Sequence, residues 1–443
     1  VKNVLVISHF FPPHDSTAAL EASKFTRYLP DNGWRPLVVA AVNDYPETLP
    51  LELDRGSVIR TSYIDVNFLP KLVAGKRRVA SAGYVTGSSG VVGPLATRLG
   101  LAYRHLVDFP DAQIGWYPFA LRAARRAVKE RKFDAVLSSA WPITNHLVAR
   151  RIAIDNSLPW VADFRDLWTD NHTFRRKGPL RRPEQALERR VMATPQIVTT
   201  PSRTWSDLLA SRFGRPVDVV PNGFDPHDYP ADAVPSPRFT LTYTGVWYPG
   251  KQDPSALLDA MCLLRERGIV TSENFRLRFV GRYAEQLGQL LDHRHLWDLV
   301  EVAPSVSHDE ALRLQVESSA LLFLLWSTDV GRGWHSAKLY EYLGARRPIL
   351  AIGPAHSDAA RLLERSRGGI VAQDPRAIAS ILEKWIGEFY GLGSLSFVGD
   401  EDVIKEYEWA NIVQKLGRIL HDVTDKGNAT EPPLYRERKT SST

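Results

Sequence analysis

Ser336, Lys338 and Glu341 stand close together in the stretch Leu321–Pro354, and their types suit one kind of ligand. Small residues with free backbone N–H groups at a helix start, beside a lysine, suit an anion. A carboxylate one turn further along suits a vicinal diol. Together these are the needs of a nucleotide-sugar diphosphate and its ribose. A second cluster, Asp163-Phe164-Arg165-Asp166, sets two carboxylates and an arginine at the end of an apolar run. Such a group either works on a substrate or pairs with itself to hold the fold, and both readings stand. His146 follows Asn145 in the first turn of a helical stretch, where it reads as an acid–base group or as a core histidine.

Elements must position these side chains. Around the first cluster, the apolar run Leu321–Trp326 is short enough for a buried strand. A Gly-bearing polar loop leads into a helix around Lys338–Leu343, and the apolar run Pro348–Ile352 follows. Strand, loop, helix, strand is a parallel βαβ unit, whose binding loops gather at the carboxyl ends of the strands. The same alternation runs along the chain. Asn3–Ser8 reads as a buried strand, Pro12 and Pro13 break it, and Asp15, Ser16 or Thr17 caps a helix that runs to Leu29. Further strands are expected at 36–42, 135–139, 159–162, 196–200 and 217–220. The Pro- and Asp-rich stretch 225–237 reads as a linker, after which the pattern restarts.

The expected fold class is α/β, with two Rossmann-like domains, 1–224 and 238–400, facing across a cleft. Residues 401–424 are expected to form a C-terminal helix that crosses back to the first domain, and 425–443 a polar, disordered tail.

At 443 residues the chain has room for two or three domains and a sizeable core. Its lone cysteine, Cys262, excludes an internal disulfide and a cysteine-built zinc site. No apolar run approaches the roughly 20 residues of a membrane span. The opening VKNVLVIS reads as a strand and not as a leader, so a cytoplasmic location is expected. No Gly-x-Gly-x-x-Gly follows that strand, which argues against an NAD enzyme.

The net charge of +6 is uneven. Residues 66–107 hold no Asp or Glu, yet include Lys71, Lys76, Arg77, Arg78, Arg98 and Arg104, and Arg122, Arg125, Arg126 and Lys129 follow. Residues 43–110 read as an irregular insertion, with 91–106 able to form a basic amphipathic helix. Solvated helix faces would explain this charge, and so would an anionic partner such as a membrane surface. Nucleic acid is not expected, because the basic segments lack its motifs and its interleaved aromatics.

Taken in order, several motifs resemble one family. They are Phe-Phe-Pro-Pro near the start, Val-Ala-Asp-Phe-Arg-Asp-Leu-Trp at 161–168, Val-Pro-Asn-Gly-Phe-Asp at 220–225, and Thr-Gly-x-x-Tyr-x-x-Lys at 244–251. Phe-Val-Gly-Arg at 279–282 and Lys-Leu-Tyr-Glu-Tyr-Leu-Gly-Ala-x-Arg-Pro-Ile-Leu from Lys338 complete the set. The ordered set, spanning residues 1–422, resembles family 4 glycosyltransferases of the GT-B fold. It is most similar to the bacterial branch with Asp-Phe-Arg-Asp-x-Trp and Lys-Leu-(Phe/Tyr)-Glu-Tyr-Leu.

The resemblance implies retaining transfer of a sugar from a nucleotide-sugar donor on the C-terminal domain to a hydroxyl acceptor on the N-terminal one. Cell-surface polysaccharide, glycolipid or a secondary metabolite would be the product. No cofactor and no metal are expected. Lys251 matches the lysine that binds the donor diphosphate, and Glu341 the glutamate that holds the ribose hydroxyls. Lys338 belongs to the branch motif, and Ser336, Gly245 and Arg282 stand beside the same donor site. Asp15, Ser16 and Thr17 match the loop that approaches the donor sugar. Asp163, Asp166 and His146 would orient the acceptor or assist its deprotonation, the departing phosphate taking the proton. A lipid-linked acceptor on an anionic membrane would give the basic segment 66–107 a role.

Three departures stand out, the first being His14-Asp15-Ser16-Thr17 in the first loop, where the family commonly has a Gly-Gly pair. Gly333 replaces the first glutamate of the family's paired motif, so the carboxylate that would touch the donor sugar is absent from that position. Trp247 lies where an arginine often partners the lysine. Two further readings follow: a nucleotide-sugar epimerase of the same fold, and a non-catalytic binding protein.

Overall fold

The computed structural model describes residues 1–42, 47–67, 107–171, 176, 178–326, 333–334 and 336–427. The chain divides into two compact units. The first comprises Val1–Thr200, Leu209–Asp218 and Gln414–Thr443; the second comprises Pro201–Leu208 and Val219–Val413. Most of the expected basic insertion (68–106) and the polar tail from 428 lie outside the described residues.

The first unit is built on β1 (Lys2–Ile7), β2 (Trp34–Ala41), β3 (Val58–Thr61), β4 (Ala135–Ala140), β5 (Trp160–Phe164), β6 (Ile197–Thr200) and β7 (Asp218–Val219), in the order β3-β2-β1-β4-β5-β6-β7. β1 pairs in parallel with β2 on one side and with β4 on the other, so the chain order reverses at that point. Open α/β sheets bind ligands at such a reversal, beyond the carboxyl ends of the strands. Val4 to Ile7 are all buried, as a strand covered on both faces requires.

The helix Thr17–Tyr28 starts on Ser16, whose hydroxyl accepts from the Ala19 N–H at 3.1 Å. The last helix is Trp409–Gly427. Its residues from Gln414 belong to this unit: the Trp34 indole donates to the Gly417 carbonyl at 3.3 Å, and the Lys2 ammonium donates to Thr424 Oγ1 at 2.6 Å.

The second unit is built on β8 (Phe239–Thr244), β9 (Phe275–Val280), β10 (Val300–Ala303), β11 (Ala320–Leu324), β12 (Ile349–Ile352) and β13 (Gly369–Ala372), in the order β10-β9-β8-β11-β12-β13. All of its pairings are parallel. Here the reversal falls between β8 and β11. Alternate residues of β11 feed different cores. Leu322 and Leu324 join the cluster with the helices Ser255–Glu266 and Pro375–Leu392, while Leu321 and Phe323 join the one with Ala337–Gly344 and Asp358–Ser366.

The stretch expected to be a linker is docked in this second unit. Asp225 caps a short 3-10 turn, Phe224 exchanges backbone hydrogen bonds with Tyr407 and Trp409, and the Tyr229 hydroxyl donates to the Glu341 carbonyl at 2.7 Å. The unit boundary therefore falls at Asp218–Val219 and not at the expected 224. Pro and Asp mark irregular backbone here, but side-chain anchoring fixes it.

Candidate active site

In the second unit, the loop after β8 and the start of the helix Ala337–Gly344 flank the reversal between β8 and β11. Gly245 ends β8 with φ +102°, a left-handed conformation that disfavours any side chain. A Cβ there would also lie 3.4 Å from Lys338 Cε and Nζ. The next turn of the loop is tied down by the buried Gln252. Its side-chain oxygen accepts from the Tyr248 N–H at 3.1 Å, and its amide donates to the Leu324 carbonyl at 2.7 Å. Lys251 thereby stands over Trp326, its ammonium 4.8 Å from the ring centroid. Partial burial draws its ammonium below the usual lysine range.

Lys338 is buried. Its ammonium donates to the Tyr243 hydroxyl at 2.7 Å and to the Val246 carbonyl at 3.1 Å. Desolvation lowers it to about 7, with Glu341 opposing the fall. Ser336 occupies the N-cap position of the helix, yet its hydroxyl makes no capping bond, so Ser336 leaves the first N–H groups of that helix uncapped among the described residues. Arg282 is exposed at the end of β9, and its carbonyl accepts from the Trp247 N–H at 3.2 Å.

Glu341 sits on the second turn of the same helix. His308 Nε2 lies 3.2 Å from Glu341 Oε1, and the Gln315 amide donates to Oε2 at 3.4 Å and to Thr244 Oγ1 at 3.1 Å. Burial alone would raise the Glu341 carboxyl. The His308 hydrogen bond and charge, Gln315 and Lys338 together hold it below the usual carboxylate range. Burial likewise opposes charge on His308, but Glu341, with Asp228 and Asp309, lifts the imidazole above its ordinary value. The structure thus brings Gly245, Ser336, Lys338 and Glu341 into one neighbourhood.

Sequence reasoning passed over His308, Gln315 and Gln252. The first two lie seven residues apart on the helix His308–Glu317, one face of it, and that spacing was the available signal.

Gly333 has a steric cause. A Cβ there would lie 2.4 Å from Trp205 Cδ1 and 3.0 Å from Thr204 Cβ, so no side chain fits while Trp205 stays. Thr204 is itself fixed, its N–H and hydroxyl both donating to Asp358 at 3.0 and 2.9 Å.

Asp15, Ser16 and Thr17 belong to the first unit, with Asp15 and Thr17 exposed and Ser16 committed to its helix cap. Asp163 is fully buried at the end of β5. Its oxygens accept from Arg165 Nε and Nη2 at 2.7 and 2.9 Å, from Thr199 Oγ1 at 2.6 Å and from Ser139 Oγ at 3.0 Å. Those bonds occupy the carboxylate, so Asp163 locks Arg165 into the strand end and has no lone pair directed at a substrate. Asp166, half-buried, differs: burial raises its carboxyl to about 7 against the pull of Arg165.

His146 is fully buried. Its Nδ1 lies 2.8 Å from Ser138 Oγ, its ring meets Phe164 at 5.0 Å, and burial lowers it to about 3 despite the Asp163 charge. It is a neutral core histidine and is not presented to a substrate, which corrects the acid–base reading. The buried Trp116 is also core. Among the described basic residues, Arg122, Arg125, Arg126 and Lys129 lie exposed on the helix Tyr117–Glu130. Arg125 pairs with Asp155 at 2.9 Å and Arg126 with Glu130 at 2.7 Å. No helix among the described residues is long and apolar enough to cross a membrane.

No curated protein matches the chain by sequence. Among solved structures, the chain is similar to sucrose-phosphate synthase from Thermosynechococcus elongatus, at 11% identity over 96% of this chain and 100% of that one, with a TM-score of 0.60. It is equally similar to Anabaena Alr3699/HepE in complex with UDP and glucose, at 12% identity over 95% and 100%, with a TM-score of 0.61. A glycosyltransferase from Rickettsia africae matches at 12% identity over 95% and 98%, with a TM-score of 0.61. These likenesses concern the fold. Residues 84–228 match the model of Glycosyltransferase Family 4. The family match is confined to that segment, and the chain's two parallel-sheet units have the GT-B fold.

Proposed function

We propose that the second unit binds a nucleotide-sugar and that the chain transfers its sugar, with retention, to a hydroxyl acceptor held by the first unit. The observation that carries this reading is the neighbourhood at the reversal between β8 and β11. It combines an uncapped helix start at Ser336, a glycine-opened loop at Gly245 and a carboxylate, Glu341, held ionised by His308. The helix start suits the diphosphate and the carboxylate suits the ribose hydroxyls. That Anabaena Alr3699/HepE was solved with UDP and glucose on a similar fold supports the same ligand class here.

As the glycosidic bond breaks, negative charge grows on the β-phosphate. Lys251, Arg282 and the helix N–H groups stabilise it, so the transfer needs no metal, and chelation leaves the rate unchanged. The departing phosphate takes the acceptor proton on the same face, with Asp166 orienting the acceptor hydroxyl. Asp15 and Thr17 are the first-unit residues proposed to recognise the donor sugar. A thermal-shift panel of nucleotides and nucleotide sugars, with Glu341→Ala and Lys251→Ala as controls, tests the donor site. Wild-type protein that shifts with none of them would end this reading. Incubating a lone nucleotide sugar separates transfer from epimerisation, which needs no acceptor.

A further inference from the structure

The loop after β8 and the end of β11 bring aromatic rings together around one ammonium. Tyr248 and Trp326 lie 5.4 Å apart between ring centroids, Trp326 and Trp334 5.0 Å, and Tyr248 and Trp334 6.0 Å at nearly a right angle. The Lys251 ammonium stands 4.8 Å from the Trp326 centroid. Trp326 is almost wholly buried, whereas Tyr248 and Trp334 remain half-exposed. Trp326 is thus the buried ring of this aromatic corner, and Tyr248 and Trp334 are its partly exposed ones.

Its place matters. Trp334 precedes the helix start Ser336 by two residues, while Glu341 is turned toward His308 and Gln315 on the helix His308–Glu317. Trp334 therefore stands on the helix-start side of the site, where the donor's phosphates are proposed to lie.

Position 333 adds a second, independent observation. Trp205 and Thr204 fill the space beside Gly333, so no carboxylate or amide can project from that residue toward a sugar. Aromatic walls favour C–H groups and give little to hydroxyls, which lose water there without an equal partner.

We infer that this corner seats the donor's sugar and selects a methyl-bearing hexose, either a 6-deoxyhexose or a 2-acetamidohexose, over a fully hydroxylated one. The assignment rests on the donor site proposed above. The methyl packs against Tyr248 and Trp334, and the Lys251 ammonium faces the phosphate side.

Calorimetry on the full chain tests it. Uridine, guanosine and thymidine diphosphates are each titrated free and as their plain-hexose, 6-deoxyhexose and 2-acetamidohexose donors, where those exist. With the base that binds, one of the two methyl-bearing donors binds about tenfold more tightly than the plain-hexose donor. Trp334→Ala and Tyr248→Ala remove that difference and leave the free diphosphate within about twofold. Equal affinity for plain and methyl-bearing donors overturns the assignment while leaving the donor site standing. An equal loss for every ligand in Trp334→Ala overturns it too, since the ring then serves the nucleotide. A silent panel ends the donor site and the assignment together. If either variant fails to fold, the wild-type ranking alone decides.

Discussion

His308 Nε2 lies 3.2 Å from Glu341 Oε1, joining the helix His308–Glu317 to the carboxylate proposed to hold the ribose. The imidazole is lifted and the carboxyl lowered, so both are charged between the lowered Glu341 value and the raised His308 value. His308→Ala is expected to weaken nucleoside diphosphate binding about tenfold at neutral pH, because Glu341 loses its principal orienting partner. The raised imidazole contributes stability that is complete below its unfolded value near 6.5 and is lost as pH rises through the folded value. The lowered carboxyl contributes stability that is lost as pH falls through its own folded value. Melting temperatures from pH 5 to 9 check the sign. His308→Gln should flatten the alkaline decline, and an unchanged decline would remove His308 as its source.

Gly333 and Trp205 are predicted to be coupled. Gly333→Glu, which restores the expected family carboxylate, places a Cβ 2.4 Å from Trp205 Cδ1. A rigid indole cannot yield as a lysine tip could, so overpacking should cost about 1–3 kcal/mol. Trp205→Ala alone also destabilises, by loss of buried area. The double variant should recover part of the sum, which urea unfolding of all four proteins measures. Strict additivity would show that the two residues do not compete for space.

Much of this arrangement is written locally in the sequence. Parallel strands covered on both faces read as continuous apolar runs, and β1 and β11 announce themselves that way. Ser336, Lys338 and Glu341 share one helix, so their spacing alone joins them. Gly333 and Trp205 are far apart in the chain, as are Gln252 and Leu324, and such pairs leave no periodic trace. The Pro- and Asp-rich stretch after Phe224 misleads for a related reason. Its composition signals irregular backbone, but the Tyr229 bond that docks it reaches Glu341 across 112 residues. His146 fails as an acid–base candidate because burial depends on the whole sheet, and one helical turn cannot reveal it.

The carboxylates of the Asp-Phe-Arg-Asp motif should separate cleanly. Asp163→Ala leaves Arg165 buried without its bidentate partner, and breaking a buried pair costs about 3–5 kcal/mol. Loss of soluble folded protein, read by circular dichroism, is the expected outcome. A folded Asp163→Ala protein that lacks only turnover would return Asp163 to the chemistry.

Asp166→Asn should keep its fold and change the pH profile. Burial raises the carboxyl to about 7, so it ionises as pH rises through that value. If the ionised form orients the acceptor, the transfer rate climbs through pH 7 in the wild type and loses that inflection in the variant. An identical profile in both proteins would assign the inflection elsewhere.

Lys338 offers the sharpest test of charge in the donor site. Its ammonium is bonded to Tyr243 and Val246 and desolvated to about 7. A lysine lowered in the folded state favours the neutral form, so its penalty on folding is greatest at low pH and eases as pH rises through about 7. Lys338→Met keeps the length and removes the charge, and should raise the melting temperature at pH 6 more than at pH 9. A bound diphosphate places negative charge near the same ammonium and favours its protonated form. Binding to the wild type at pH 8.5 should therefore take up protons, seen as a dependence of the calorimetric heat on the buffer's ionisation enthalpy. The methionine variant should show about none of this uptake and weaker binding. Equal uptake in both proteins would mean that Lys338 stays out of reach of the phosphates and serves only to brace the loop after β8.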